Sequence, residues 1–229
     1  MRTVCIYTAQ DRRSVVSASG CAESAGVEVE LYEAVMYANM DEVHDRYGLT
    51  KKYTPVSGCV TDYDRKTVPQ TRMANGTTHY LLYRWAVESD EPIHILEHDA
   101  IVVDVPPEPI YDGVIQTSSH IDRPLTAKKL WDSGRAKKQR KHESDMSYDW
   151  DWVKCEGVIP HPLSGTNGTS GYVIGPGAAK RMIDYIESDG IANADRLRKE
   201  HLGEDNVYLQ VPQSVICTHC VRSHVLGSW

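Results

Sequence analysis

The sequence predicts an α/β fold that begins with parallel strands. An apolar run, a polar loop, a helix-compatible stretch and a second, alternating run follow one another at the start of the chain. This order of strand, helix and strand is typical of the βαβ unit, whose two strands lie parallel in one sheet. Such sheets bind ligands in the loops at the carboxyl ends of their strands.

The first half of the chain divides into five segments. A strand at Val4–Tyr7, a helix at residues 14–25 and a strand at Val27–Leu31 form the opening unit. Residues 39–72 are rich in polar and turn-forming residues and are interpreted as mostly loop with short helices. A helix is predicted over Thr77–Ser89, where aromatic and leucine side chains recur at helical spacing as core residues.

The second half continues the alternation of short strands and helices. Strands are predicted at 93–96, resuming at 100–103, and then at 113–116, 171–175, 207–211 and 214–216; a helix is predicted at 177–188 after Pro176.

Length and composition indicate one soluble domain spanning residues 1–229. Apolar residues make up 41% and charged residues 25%, which is close to globular proteins and excludes a disordered or fibrous chain. No apolar run is long enough for a membrane span, and no secretory signal precedes the first strand. We therefore expect a cytoplasmic protein with reduced cysteines.

A basic block interrupts the long polar segment 118–165. Residues 128–142 contain seven Lys or Arg and one Asp, a local charge of +6 within a chain whose net charge is −7. The block indicates either an anion-binding loop or a solvated, mobile loop. A segment of this length without periodicity is typical of a binding loop or lid, or of disorder.

Two acids stand at the end of a buried strand, at Glu97 and Asp99. Acids within an apolar strand are costly unless they are paired or bind a metal ion. Side chains two residues apart point to the same side if the strand persists, and an oxygen-lined site of this kind suits Mg²⁺ or Mn²⁺ bound to a diphosphate. The alternative is a strand-end turn with solvated acids.

Five blocks, taken in order, resemble the family 25 glycosyltransferases. That family comprises inverting enzymes with the GT-A fold, which act in lipopolysaccharide synthesis and collagen galactosylation. The resemblance implies a GT-A-like single domain, a UDP-hexose donor such as UDP-glucose or UDP-galactose, and a hydroxyl acceptor. The blocks are Val4–Arg13, Thr78-His79 with Trp85, Ile95–Ala100, Gly171–Ala179 and Glu204–Leu209.

The resemblance also assigns a metal site. The family's Leu-Glu-Asp-Asp strand end matches Leu96–Asp99, with His98 in place of the middle acid. Asp99 would bind Mn²⁺ or Mg²⁺, and Glu97 would be a second ligand or a contact to the donor ribose. His219 near the carboxyl terminus is a candidate to complete the metal ligands, and imidazole at His98 is also acceptable to Mn²⁺.

Donor binding is assigned to residues near the same strand end. The loop after the first strand stands where nucleotide-sugar enzymes hold the nucleobase and ribose, and the family's Ser-His pair matches Thr78-His79. The candidate donor-binding residues are Thr8, Gln10, Arg12, Arg13, His79, Glu97 and His98.

A catalytic base is expected at the family's late acidic position. Inverting transfer needs one carboxylate to deprotonate the acceptor hydroxyl. Asp205 is the preferred candidate, and Glu204 is the second. The alternative is that residues 203–206 only end a helix and begin a new element.

The acceptor is expected to meet the basic block and the aromatic residues that follow it. Basic side chains bind phosphates, and aromatic rings stack on a sugar face or on an extruded base. A glycan of lipopolysaccharide type is the first candidate, and DNA with hydroxymethylated pyrimidines, as bacteriophages make, is the second. The candidate residues are Lys137, Lys138, Arg140, Lys141, Trp150 and Trp152.

Two other functions are compatible with the sequence. Since His98 replaces an acid, the chain could be a non-catalytic nucleotide- or glycan-binding module on a transferase scaffold. Cys217 and Cys220, with a histidine nearby, have the spacing of half a zinc site, which together with the basic block would suit a nucleic-acid-binding protein.

Overall fold

The computed structural model describes residues 1–50, 53–54, 69–118, 156–161, 170–192, 197, 199–211 and 214–217. The helices are α1 (Arg12–Ser24), α2 (Tyr37–Tyr47), α3 (Pro69–Ser89), α4 (Pro176–Asp189) and α5 (Lys199–Leu202). The strands are β1 (Arg2–Tyr7), β2 (Val29–Glu33), β3 (Tyr53–Thr54), β4 (Ile93–Glu97), β5 (Ala100–Val102), β6 (Val114–Gln116), β7 (Gly157–Pro160), β8 (Gly171–Ile174), β9 (Ile191–Ala192), β10 (Val207–Val211) and β11 (Val215–Cys217).

Seven strands form one mixed sheet in the order β2-β1-β4-β8-β6-β10-β7. β1 is parallel to β2 and β4, and β6 is parallel to β10. β8 is antiparallel to β4 and β6, and β7 is antiparallel to β10. Five strands of this sheet therefore point the same way, namely β2, β1, β4, β6 and β10. Their carboxyl ends meet at one edge, here called the carboxyl edge. The predicted α/β class is confirmed.

The two faces of this sheet bury different side chains, because successive residues of a strand point to opposite sides. Val4 and Ile95 pack on the first face with side chains of α2, α3 and α4. Cys5 and Leu96 pack on the second face with α1, β5 and β11. A helix layer thus covers the first face, while α1 and the small β5–β11 sheet cover the second.

Local sequence explains where the helices begin and end. The Asp11 carboxylate accepts the Arg13 N–H at 2.9 Å and caps α1. Gly48 ends α2 in the left-handed region, with φ of 65°, where glycine has no steric penalty. Pro176 occupies the first turn of α4, where its missing N–H costs no hydrogen bond.

The structure differs from the sequence expectation at several places, among them the start of α3, which lies at Pro69 instead of Thr77. Residues 37–47, largely within the segment expected to be mostly loop, form the eleven-residue helix α2, whose buried side carries Met40 and a histidine, His44, instead of a clear apolar stripe. The expected strand through 93–103 is two strands, and β5 leaves the large sheet to pair with β11. Within the described part of the chain, no helix has the length and apolarity needed to span a bilayer.

Candidate functional site

The carboxyl edge brings together two of the predicted groups of site residues. β1 and β4 are parallel neighbours, and Ile6 pairs with Glu97. The loop that begins at Thr8 and the turn that follows Glu97 therefore leave the sheet side by side. Because β1 continues to α1 and β2 on one side while β4 lies on its other side, this is a topological switch point, where open α/β sheets bind ligands.

The acidic pair does not lie on one continuous strand. β4 ends at Glu97, His98 and Asp99 form a turn, and β5 begins at Ala100. The Glu97 N–H donates to the carbonyl of Ser170 at 3.1 Å, which ties the strand end to β8. The two carboxylates are thus presented by a strand end and a turn, and all three residues from 97 to 99 are partly buried.

Two buried thiols lie beneath this turn on the second face. The Cys5 thiol donates to the carbonyl oxygen of Glu97 at 3.6 Å, and it also hydrogen-bonds to Cys21 of α1. That thiol contact and burial raise the pKa of Cys5, and the negative charges of Asp99 and Glu97 raise it further. Both carboxylates therefore lie within electrostatic range of one thiol.

The loop after β1 presents positive charge at the same edge. Its backbone is held where the Thr8 N–H donates to Ser14 Oγ at 2.9 Å. Gln10, Arg12 and Arg13 are exposed, and Arg13 also lies 3.5 Å from the Asp11 carboxylate. The positive end of α1 and these guanidinium groups suit an anion such as a diphosphate.

His79 lies deep under the carboxyl edge on the first face. It is 1% exposed, and its Nδ1 lies 2.6 Å from the hydroxyl of Tyr172, which pairs through β8 with Ile95 of β4. Ile95 and Glu97 share this face because they are two residues apart on one strand. The neighbouring Thr78 accepts the N–H of Val35 at 2.9 Å.

Sequence reasoning missed a buried polar pair beside β6. His161 Nε2 lies 2.9 Å from Gln116 Oε1, and the two side chains are 4% and 0% exposed. Gln116 ends β6, so polar residues after a short strand could have indicated it. His161 gave no signal, because its position depends on β7 pairing with β10.

The family model for glycosyltransferase family 25 (LPS biosynthesis protein) matches residues 4–197. The chain belongs to glycosyltransferase family 25. The family resemblance is therefore confirmed, with four of the five sequence blocks inside the matched residues and the fifth, Glu204–Leu209, beyond them. The mixed sheet with its flanking helices is consistent with a GT-A-like fold. A search of curated proteins gives no match.

The structure does not bring the predicted catalytic acids of this glycosyltransferase to its carboxyl edge. Val207 begins β10 and lies in one row with Val114, Ile174 and Ile93 at the opposite edge of the sheet. Ile93 is four residues before Glu97, a separation of roughly 13 Å along the strand. Asp205 and Glu204 precede Val207 and lie further away still.

Residues 203–206 instead form the turn that ends α5. Gly203 has φ of 97°, its N–H bonds to the Lys199 carbonyl, and the Asn206 side chain donates to the Leu202 carbonyl at 2.8 Å. Glu204 is exposed and lies 4.0 Å from Lys199. This local geometry is the helix-ending turn that the sequence left open as the alternative, and the catalytic role of Asp205 or Glu204 stays a prediction.

The donor set at Glu97–Asp99 suits a divalent cation only in part. Two carboxylates that share a strand end and a turn match the ligands of Mg²⁺ or Mn²⁺, which are often held by one or two carboxylates together with substrate phosphates. No group of three His, Cys, Asp or Glu that could hold a metal ion is found among the described residues.

The remaining predicted site residues lie outside the described residues. These are the acceptor candidates Lys137, Lys138, Arg140, Lys141, Trp150 and Trp152, the metal candidate His219, and Cys220 of the zinc alternative; for Cys217 the structure describes only the backbone, in β11.

Proposed function

We propose that this family 25 glycosyltransferase transfers a hexose, with inversion, from UDP-glucose or UDP-galactose to a hydroxyl acceptor. The observation that carries the proposal is the meeting of the Thr8–Arg13 loop with the Glu97–Asp99 turn at the switch point between β1 and β4. The positive charge of the loop suits the diphosphate of a nucleotide sugar, and the carboxylates of the turn suit a divalent cation bound to that diphosphate.

Each group has a task that follows from its placement. The β1 loop, through Thr8, Gln10, Arg12 and Arg13, would bind the nucleotide, with the positive end of α1 directed at the phosphates. Asp99 and Glu97 would hold Mn²⁺ or Mg²⁺ against the diphosphate, with His98 beside them. A bound cation there would neutralise the charge that develops on the departing diphosphate.

We propose a glycan of lipopolysaccharide type as the acceptor, because the matched family is described by that biosynthesis. DNA with hydroxymethylated pyrimidines is the second candidate, and the charge of the 128–142 block favours it. Offering both acceptors to the purified protein separates them, since only one would accept labelled hexose.

The test is release of UDP from UDP-glucose or UDP-galactose with Mn²⁺, with and without EDTA. Asp99→Ala should lower the rate at least about a hundredfold, because stabilisation of the leaving group is lost. Asp184→Ala is the matched control, since this exposed acid pairs with Lys180 on the surface of α4.

Three results would contradict the proposal in different ways. If neither UDP-glucose nor UDP-galactose binds or reacts, the donor assignment is excluded. Normal donor binding without turnover, unchanged in rate by Asp99→Ala, would favour a non-catalytic binding module. Stoichiometric zinc with no donor binding would favour the nucleic-acid-binding alternative.

A further inference from the structure

The helix α3 crosses the first face of the sheet from the carboxyl edge to the opposite edge. The Thr78 hydroxyl accepts the N–H of Val35, which lies two residues beyond the end of β2 at Glu33. Further along the helix, Cζ of Arg2, the first residue of β1, lies 3.9 Å from the centroid of the Trp85 ring. Because α3 passes the strand ends at Thr78, the residues of α3 before Thr78 lie at the carboxyl edge or beyond it.

Asn75 lies on the side of α3 that faces the sheet. His79, four residues later, lies with its Nδ1 2.6 Å from the Tyr172 hydroxyl of β8, and Tyr83, another four residues on, approaches the same hydroxyl at 3.1 Å. Side chains four residues apart lie on one side of a helix. Asn75 therefore lies on this side, about 6 Å nearer to the carboxyl edge than His79.

The end of β4 lies under this turn of the helix. Tyr172 pairs with Ile95, and Glu97 is two residues further along β4 on the same face. Two strand residues span about 7 Å, which is close to the rise of about 6 Å between His79 and Asn75. Asn75 and Glu97 thus border, from the helix and from the sheet, the crevice beyond the ends of β1 and β4.

The side-chain amide of Asn75 contains a buried acceptor without a donor. Its Oδ1 has no hydrogen-bond partner among the described residues, although the side chain as a whole is partly exposed. A buried acceptor of this kind costs free energy, so such groups are rare in folded proteins. A ligand in the crevice that donates to Oδ1 would remove the cost, and the amide turns towards such a ligand about a soft torsion.

We infer that Asn75 is a further donor-binding residue, whose Oδ1 accepts a hydrogen bond from a neutral N–H or O–H of the nucleotide sugar. The inference rests on the proposed function, which places that ligand in the crevice. UDP-glucose and UDP-galactose offer such groups at N3–H of uracil and at the hydroxyls of their sugars. The oxygens of the diphosphate only accept hydrogen bonds, so Oδ1 does not suit them.

Titration of the full chain with Mn²⁺ and two ligands tests this contact. One ligand is UDP-glucose or UDP-galactose, whichever the wild type binds more tightly, and the other is UDP. Asn75→Ala should raise the Kd for the sugar nucleotide about three- to tenfold, since one hydrogen bond is lost. An equal rise for UDP would place the contact on the nucleoside, and no rise for UDP would place it on the hexose. An unchanged Kd for the sugar nucleotide would overturn the inference.

The melting temperature without ligand separates this role from a structural one. Asn75→Ala should raise it by about 2–6 °C, because alanine is the better helix former and the buried acceptor is removed. Thr77→Val is the matched control. The Thr77 hydroxyl is also buried in α3, but it donates to the Met73 carbonyl at 2.7 Å and lies 2.8 Å from His44 Nε2. This variant should lower the melting temperature and change the Kd less than about twofold.

The two measurements distinguish failure of the inference from failure of the proposed function. A lower melting temperature for Asn75→Ala, even with weaker binding, would show that the residue has a structural role and would overturn the inference. A wild-type protein that binds neither UDP-glucose nor UDP-galactose would instead refute the proposed function.

Discussion

Replacement of Gly175 by alanine should destabilise the protein for steric reasons, although the backbone angles of Gly175 suit any residue. It precedes α4 with φ of −83° and ψ of 159°. A Cβ atom there would lie 2.1 Å from the carbonyl oxygen of Ile110 and 2.2 Å from that of Tyr111. Both contacts are with backbone, so no side-chain rotation relieves them. The Gly175 N–H also bonds to the Gly113 carbonyl at 3.0 Å.

The expected cost of Gly175→Ala can be estimated from these contacts. Overpacking typically costs about 1–3 kcal/mol, and Ala in place of Gly at a helix N-cap adds about 1 kcal/mol. A loss of about 3 kcal/mol should lower the melting temperature by about 6–12 °C in a chain of this size. A loss of about 3 kcal/mol is a large part of the free energy of unfolding of natural proteins, which is roughly 5–15 kcal/mol.

Gly20→Ala is the matched control. Gly20 lies inside α1, and a Cβ atom there would have nothing within 4 Å. Because Ala is the better helix former, this variant should gain about 0.5–1 kcal/mol. Circular dichroism melts of both variants, with urea unfolding at 25 °C, provide the measurement. A Gly175→Ala melting temperature equal to that of the wild type would refute the steric reasoning.

Three further predictions concern pH, a thiol and the exposed acids. Burial lowers the pKa of His94 to about 3 from 6.5, so the unfolded chain takes up this proton at a higher pH than the folded chain, and the free energy of unfolding should fall by up to about 1.4 kcal/mol per pH unit as the pH drops from 6.5 towards 3. In urea unfolding at pH 4.5–6.5, His94→Gln should remove this contribution to the pH dependence of the free energy of unfolding. An unchanged pH dependence in the variant would contradict the prediction. Since the pKa of its thiol is raised, Cys5 should resist iodoacetamide at pH 8 in the folded protein and react after the protein is denatured. Mass spectrometry of the peptides would measure this labelling. Rapid labelling of Cys5 in the folded protein would contradict the prediction. Asp205→Asn and Glu204→Gln should each keep the rate of UDP release within about twofold, because exposed residues at the opposite edge act as surface substitutions; a hundredfold loss would restore the predicted base.

Part of the site could be predicted because it depends on short stretches of chain. The apolar run before Glu97 and the polar loop after Tyr7 each mark a strand end. Because the two strands of a βαβ unit are parallel, their carboxyl ends lie at the same edge of the sheet. The order of these blocks also indicated family 25, which the family match confirms.

The rest depends on pairings between distant residues, which local patterns do not encode. The break of the strand after Glu97 follows from β5 pairing with β11, more than a hundred residues later. The contact between His161 and Gln116 depends on β7 lying against β10. A histidine in a polar segment has the same local pattern whether it is exposed or buried.

The sequence by itself determined the α/β class, the strands that end in acidic and basic residues, and the family. Only the tertiary structure decided which of those residues share an edge. β10 runs parallel to β4, so the residues before Val207 lie at the edge opposite Glu97. The direction of a strand within its sheet is set by long-range hydrogen bonds and packing, because the same alternation of side chains suits either direction.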